Sequence, residues 1–236
     1  MRRRVRVAVF STGDEIVEPG KPRPEAALFD ANRYLLAGLI DRLGATSTDL
    51  GILPDDADQL ERAIAAAARD HDLVLTSGGV STGEADHVRT AIERVGRLVF
   101  WRVGIKPGRP VAMGVLPGGA AFAGLPGNPV AVFVTFVKVV RPLLRQLSGA
   151  RPETLTPLPV RVGFPYKKKS GRREYVRVAL RRRADGEIEA VKHPQDGAGV
   201  ITSLTETDGL LELPEDVTTI AEGDRAGFLS YAVLMG

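Results

Sequence analysis

A change of hydrophobic period near residue 150 limits what this chain can fold into more than any other feature. Before it, short apolar, β-branched runs alternate with stretches whose apolar residues recur at helical spacing. Val5–Phe10 reads as a strand. Asn32–Leu43 repeats Leu35, Leu36, Leu39, Ile40 and Leu43 along one helical stripe and stops at Gly44. Thr46–Leu53 is the next strand. Asp58–Arg69 is an alanine-rich helix with Leu60, Ile64 and Ala67 on one face. Leu73–Thr76 is a buried strand, and Asp86–Val95 a helix with Val88, Ile92 and Val95 inward. Strand, helix, strand, helix, strand predicts an α/β fold: a mostly parallel sheet wrapped by helices. Leu98–Val103 and the hairpin Val111–Val115/Ala121–Leu125, turning at Pro117-Gly118-Gly119, add strands. Pro129–Leu147 is a long apolar helix with Pro129 in its first turn. Lys138 and Arg141 interrupt its apolar run, so it reads as a core helix and not as a membrane span.

After Ser148-Gly149-Ala150-Arg151-Pro152 the helical spacing ends. Only short strands are expected: Leu158–Phe164, Glu174–Arg182, Ile188–Val191, Leu210–Leu213 and Phe228–Val233, with turns at Asp185-Gly186, Gly197, Asp208-Gly209 and Glu222-Gly223-Asp224. Even spacing of short strands predicts a small barrel or sandwich. The expected division is an α/β domain over residues 1–150 and a second, all-β domain over 151–236. Charge is segregated within the second. Residues 161–183 hold ten Lys/Arg against one acid, Glu174, and residues 185–224 hold eleven acids against one base, Lys192. Either adjacent strands pair these segments, or the basic ribbon faces an anion.

Three strand ends in the first region run into acidic residues. Val5–Phe10 leads to Ser11-Thr12-Gly13-Asp14-Glu15. Ser47–Leu53 leads to Pro54-Asp55-Asp56. Leu73–Thr76 leads to Ser77-Gly78-Gly79-Val80-Ser81-Thr82-Gly83-Glu84-Ala85-Asp86. In an open parallel sheet the carboxyl ends of the strands share one edge, where ligands bind. Glu15, Asp55 and Asp86 would converge there. Uncompensated, they would repel one another, and a Mg²⁺ ion, which takes hard oxygen ligands, would remove that cost. Asp56 or Asp58 is alternatively a cap of the second helix, and Asp86 of the third. The Ser77–Gly83 loop offers backbone N–H groups to a phosphate, or is a tight turn that needs glycine for its conformation alone. On the first reading, Gly79→Val costs affinity and leaves the melting temperature unchanged. Lys106-Pro107-Gly108-Arg109-Pro110 is a rigid anion clamp or a solvated surface turn. Gly124-Leu125-Pro126-Gly127-Asn128-Pro129 opens the long helix.

The absence of cysteine excludes disulfides, thiolate metal sites and cysteine nucleophiles. His71, His87 and His193 are too scattered to suggest zinc. A net charge of +3 does not demand a nucleic-acid partner. Met-Arg-Arg-Arg opens no signal peptide, since no long apolar run follows before Asp14, and a cytoplasmic protein is expected.

Taken together, these residues resemble the MoeA family, the molybdopterin molybdenumtransferases, related to the E domain of gephyrin. The strings that carry the likeness are Ser11–Glu15, Asp30-Ala31-Asn32-Arg33-Tyr34, Gly51–Asp56, Ser77–Asp86, Phe100-Trp101-Arg102, Ile105–Pro110 and Gly124–Val130, collinear over nearly the whole chain. The resemblance implies a molybdopterin-binding α/β domain followed by a small C-terminal β-barrel. It implies binding of adenylated molybdopterin (molybdopterin-adenylate), insertion of molybdate and Mg²⁺-dependent adenylate hydrolysis. It casts Glu15, Asp55, Asp86 and Lys106 as catalytic, the first three as metal ligands. Thr12, Gly13, Ser77, Gly78, Gly79, Ser81 and Gly83 become cofactor contacts. So do Arg102 and Arg109, the run Pro126, Gly127, Asn128 and Pro129, and Arg177 of the barrel. Arg102 stands where lysine is common, and Gly197-Ala198 replaces a Gly-Ser pair. A homodimer is implied, with an apo-molybdoenzyme or an adenylyltransferase as further partners. Two alternatives are a molybdopterin adenylyltransferase, whose loop is usually Thr-Gly-Gly-Thr-Gly and which lacks the barrel, and a non-catalytic scaffold module. Family members carry two further domains ahead of this region, so this chain is expected to bind the cofactor yet insert molybdenum poorly by itself.

Overall fold

The computed structural model describes residues 3–80 and 87–236, and only the backbone of Phe100 and Trp101. The chain opens with β1 (Arg6–Thr12), the short β2 (Ile16–Val17) and β3 (Leu28–Phe29), α1 (Asn32–Arg42), β4 (Thr46–Leu53), α2 (Ala57–Asp70) and β5 (Leu73–Ser77). Then come α3 (His87–Val95), β6 (Arg97–Arg102), β7 (Ile105–Lys106), β8 (Pro110–Val115) and β9 (Ala121–Leu125). Six of these strands form one sheet in the order β4-β1-β5-β9-β8-β6. The pairings β1–β4, β1–β5 and β5–β9 are parallel, and β8 alone runs against its neighbours.

Strand periodicity explains why both faces are covered. In β1, Val7 and Val9 point into a core with Leu36 and Ile40 of α1, while Ala8 and Phe10 point into a second core with Leu60 and Ile64 of α2 and Ile92 of α3. Leu60, Ile64 and Ile92 are fully buried, each contributing about 1.5–3 kcal/mol.

The expected single helix from Pro129 is interrupted. It consists of α4 (Pro129–Thr135), a π turn over Phe136–Val140 and α5 (Arg141–Ser148). Pro142 is the cause. It has no N–H to donate to the fourth residue back, and the Arg141 N–H reaches past to the Phe136 carbonyl.

The remaining strands are β10 (Leu158–Val162), β11 (Tyr166–Lys167), β12 (Arg173–Arg182), β13 (Ile188–Lys192), β14 (Gly209–Leu213), β15 (Thr219–Ile220) and β16 (Arg225–Ser230). Five of them close on themselves as β13-β10-β16-β14-β12, with β12 pairing back onto β13. This is a barrel, lined by Val160, Val162, Val176, Val178, Leu211 and Phe228. The expectation of an all-strand second region needs correction. A 3₁₀ turn spans Ile201–Leu204, and the chain closes with α6 (Tyr231–Met235), where a strand to Val233 was expected. Ser230 starts that helix, its hydroxyl accepting from the Val233 N–H.

Opposite charges pair across and beside the barrel strands. Arg173 meets Glu212 and Glu215, while Arg161, Arg181 and Arg183 all meet Glu189. Four basic residues of the ribbon, Arg161, Arg173, Arg181 and Arg183, are thus paired with the acidic segment. The barrel is also tied to the first sheet's territory. β7 pairs with β12, Ile105 opposite Arg173 and Lys106 opposite Glu174. Tyr175, Leu210, Leu229 and Leu234 join the same core as Val137 and Val140 of the long helical run. Among the described residues no helix is long and apolar enough to cross a membrane.

Candidate functional site

Two neighbouring cavities open at the carboxyl ends of the parallel strands. The first, of about 350 Å³, is lined by Thr12 and Glu15 after β1, Asn32 at the start of α1, Ser77 and Gly78 after β5, and Gly127, Asn128 and Pro129 after β9. Asn32 assembles it. Its Nδ2 donates to Ser77 Oγ at 2.8 Å and to the Gly127 carbonyl at 2.7 Å, so one buried amide ties three loop ends together. Asp30 holds α1 from below by accepting the backbone N–H groups of Asn32 and Arg33 and pairing with the Arg33 guanidinium at 2.6 Å.

The acidic residues separate into two kinds. Asp56 is the N-cap of α2, its carboxylate accepting from the Gln59 N–H at 2.9 Å. Asp55 lies beside the cavity, its Oδ1 accepting from Thr12 Oγ1 at 3.5 Å. The Glu15 carboxylate folds back over Gly13. A Cβ on Gly13 would sit 2.8 Å from Glu15 Oε2. Ser81, Gly83 and Asp86 lie outside the described residues. Among those described, no group of three His, Cys, Asp or Glu is gathered as a metal site. The donor set still suits Mg²⁺: Glu15, Asp55 and Thr12 offer hard oxygens at adjacent strand ends. Ser11 Oγ and Asn32 Oδ1 are buried without a hydrogen-bond partner at the base of this cavity.

The glycines after β5 have structural work, which corrects the expectation for Gly79. Its φ is +67°, and a Cβ there would strike Val88 Cγ2 at 2.4 Å and Thr12 Cγ2 at 2.7 Å. A Cβ on Gly78, at φ +88°, would meet the Thr12 carbonyl at 2.4 Å. Both let the loop lie against the end of β1. Valine at Gly79 therefore cannot leave the fold untouched.

The second cavity, of about 400 Å³, lies between the 105–110 segment and the barrel. Lys106, Arg109, Pro126, Tyr166, Glu174 and Arg177 line it, and Asn128 lines both cavities. Lys106 is not a free cation. Its Nζ is 3.1 Å from Glu174 Oε2, and Glu174 also accepts from Tyr166 Oη at 2.9 Å and Arg172 Nε at 2.8 Å. Glu174 is buried, which alone would push its pKa up. The hydrogen bonds from Tyr166, Lys106 and Arg172 outweigh burial and hold it below the usual carboxylate range. The same burial and the Glu174 contact push the Tyr166 phenol up.

Arg177 differs from these. It is 6% exposed, and no carboxylate pairs with it among the described residues. Its guanidinium donates to Ser203 Oγ and, at 2.8 Å, to the Gln195 carbonyl, both neutral acceptors. Burial pulls its pKa down. A buried cation of this kind is costly unless an anion meets it. Arg102 falls elsewhere, in an adjoining cleft of about 390 Å³ with Arg109, Lys169 and Arg172, so Arg109 walls two clefts.

Several site residues escaped the sequence reasoning. Glu174 had a signal, being the one acid in the basic run. Ser203, which supplies the hydroxyl beside Arg177 although Ala198 does not, had none. Tyr166 and His193 had none either.

The comparisons with known proteins follow the same division. Residues 8–146 match a family model described as a "probable molybdopterin binding domain", and residues 159–231 match one described as the "MoeA C-terminal region (domain IV)". The chain is 36% identical over 235 residues to a molybdopterin molybdenumtransferase of Haemophilus influenzae, covering 99% of this chain and 58% of that one. It is 36% identical to the enzyme of the same name from a Nostoc species, covering 94% of this chain and 52% of that one. A crystal structure of a molybdopterin biosynthesis MoeA protein from Pyrococcus horikoshii superposes with a TM-score of 0.80 at 31% identity, covering 97% of this chain and 55% of that one. The chain thus spans somewhat over half the length of the curated relatives it matches.

Proposed function

Since the chain belongs to the MoeA family, in its molybdopterin-binding domain and C-terminal region, we propose that it serves molybdenum cofactor biosynthesis by binding adenylated molybdopterin and molybdate. One observation carries this reading: Arg177, a buried guanidinium with no carboxylate partner among the described residues, faces a 400 Å³ cavity beside Lys106 and Arg109. A tetrahedral oxyanion is the ligand such a cation suits, since charge-assisted hydrogen bonds are about twice as strong as neutral ones. The adjoining cavity is the place for the adenylate phosphate, beside Thr12, Gly78 and the oxygen donors of Glu15 and Asp55. Asn128, which lines both, is positioned to touch a ligand spanning them. Glu15 and Asp55 would hold Mg²⁺ together with Asp86. When bound, the ion would offset phosphate charge during adenylate hydrolysis. Because the barrel supplies Arg177, the arrangement favours a molybdenumtransferase over an adenylyltransferase.

The test is reconstitution of an apo-molybdoenzyme with this chain, molybdate and adenylated molybdopterin, with and without a separately supplied N-terminal half of a relative. Binding of adenylated molybdopterin by calorimetry is expected from this chain alone, with molybdenum insertion strong only after the supplement. No binding at all would sink the reading.

The acids allow a sharper contrast. Asp56→Ala should lower stability by about 1 kcal/mol, the worth of a helix cap, and leave ligand binding alone. Asp55→Asn should leave the denaturation midpoint in place and weaken the Mg²⁺ dependence of adenylate hydrolysis. If the two variants behave alike, Asp55 is no ligand.

A further inference from the structure

The anion-cleft reading of Arg177 leaves open what holds that side chain in place, and the turn beside it supplies a device. His193 is 8% exposed and sits between Glu206 and Gln195. Its Nε2 lies 2.9 Å from Glu206 Oε2, and the Gln195 N–H donates to its Nδ1 at 3.2 Å. A ring nitrogen that accepts carries no proton, so the proton is on Nε2 and is shared with Glu206. The Gln195 carbonyl, on the same short turn, accepts Arg177 Nη2 at 2.8 Å, and the His193 N–H donates to the Arg177 carbonyl at 3.0 Å. The turn is therefore fastened to Arg177 at both its ends, and the imidazole ties those two ends to each other.

We propose that His193, oriented by Glu206, is the positioning residue that keeps Arg177 aimed at an oxyanion. The inference rests on the proposed function of the cleft. Neutral His193 fits the turn. A second proton would land on Nδ1, which then has to give up the Gln195 N–H. The new N–H would turn to the Gln195 carbonyl, 3.4 Å away, and compete with Arg177 for it. Acid thus loosens the anion ligand.

Most of the other charged groups lining this cavity are paired, and Arg109 lines it as a further cation. On β13 and its turn, Lys192 pairs with Asp196 at 2.6 Å. Lys106 of β7, Tyr166 of β11 and Arg172, just before β12, converge on Glu174. Glu206 faces the ring directly.

The sign of the effect makes the test decisive. An extra positive charge by itself strengthens anion binding in acid, whereas a disrupted turn weakens it. The probe is inorganic sulfate, a tetrahedral dianion at every pH used, titrated calorimetrically into the full chain between pH 5.5 and 7.5. Wild-type affinity is expected to fall about tenfold on acidification, the scale of one charged hydrogen bond. His193→Ala should be weak throughout. His193→Gln, whose amide can accept from Gln195 and donate to Glu206, should recover most of the affinity lost in His193→Ala and lose the acid response. Tighter binding of wild type in acid, or an acid response that survives in His193→Gln, overturns the proposal. If Arg177→Lys binds sulfate as wild type does at pH 7.5, the cleft itself has been misread, a different failure.

Discussion

Replacing Arg177 by methionine is expected to weaken oxyanion binding by about 10- to 150-fold, the 1.5–3 kcal/mol of a hydrogen bond to a charged group. The same change should leave the melting temperature equal or higher. Both halves follow from one environment. The guanidinium is buried, has only neutral acceptors among the described residues, and sits where burial already disfavours its charge. Methionine has a similar length and no charge to desolvate. Its removal of donors costs little locally, because Ser203 Oγ still donates to the Val200 carbonyl and the Gln195 carbonyl lies on an exposed turn. A cation kept at a cost to the fold is a cation kept for a ligand. Thermal unfolding and calorimetry with molybdate measure the pair. A large drop in melting temperature without a loss of binding would make Arg177 a packing residue.

Gly79→Val is expected to do the opposite, acting first on stability. Placing a β-branched residue at φ +67° costs about 1–2 kcal/mol before any contact is counted. Its Cβ would also press on Thr12 and Val88, and overpacking of this kind adds about 1–3 kcal/mol. The sum, about 2–5 kcal/mol, converts to a fall of roughly 4–20 °C for a chain of this size. Scanning calorimetry measures it. An unchanged melting temperature would restore the reading in which Gly79 is glycine only so that a ligand can approach.

These two residues show what was legible in the sequence. Local periods and punctuation revealed the layers: alternation in Val7–Phe10, the Leu60/Ile64 stripe of α2, and Asp56 among the possible caps. Pro142 was there to be read as a break in the long helix, and its effect through the lost N–H is local. Ser230, three residues before Val233, was a cap signal for α6. The site itself depends on pairs far apart in the chain. Asn32 meets Gly127 across 95 residues, and Lys106 meets Glu174 across 68. No period or motif encodes such meetings, so Arg177 came from family likeness, and Lys106, read as part of an anion clamp or a solvated turn, was found without its acid. Their partners Glu174, Ser203 and His193 were not found as site residues. The glycine loop was read with two reasons open, a ligand and a tight turn, because a positive φ looks the same in sequence whether a ligand or the chain's own β1 lies opposite.

The two-residue strand β7 has an implication for modularity. Residues 105–106 lie between two strands of the first sheet, yet they hydrogen-bond as the sixth member of the barrel's ladder. The two family segments are therefore adjacent in sequence but stitched in space. A barrel transplanted from another scaffold would have to bring its own match for Ile105 and Lys106, and its own carboxylate for the lysine. Recombination at residue 150, the obvious seam, would separate a cation from the acid that balances it. Exchange of either half is constrained by this one short stitch, so the two halves have reason to change as a unit.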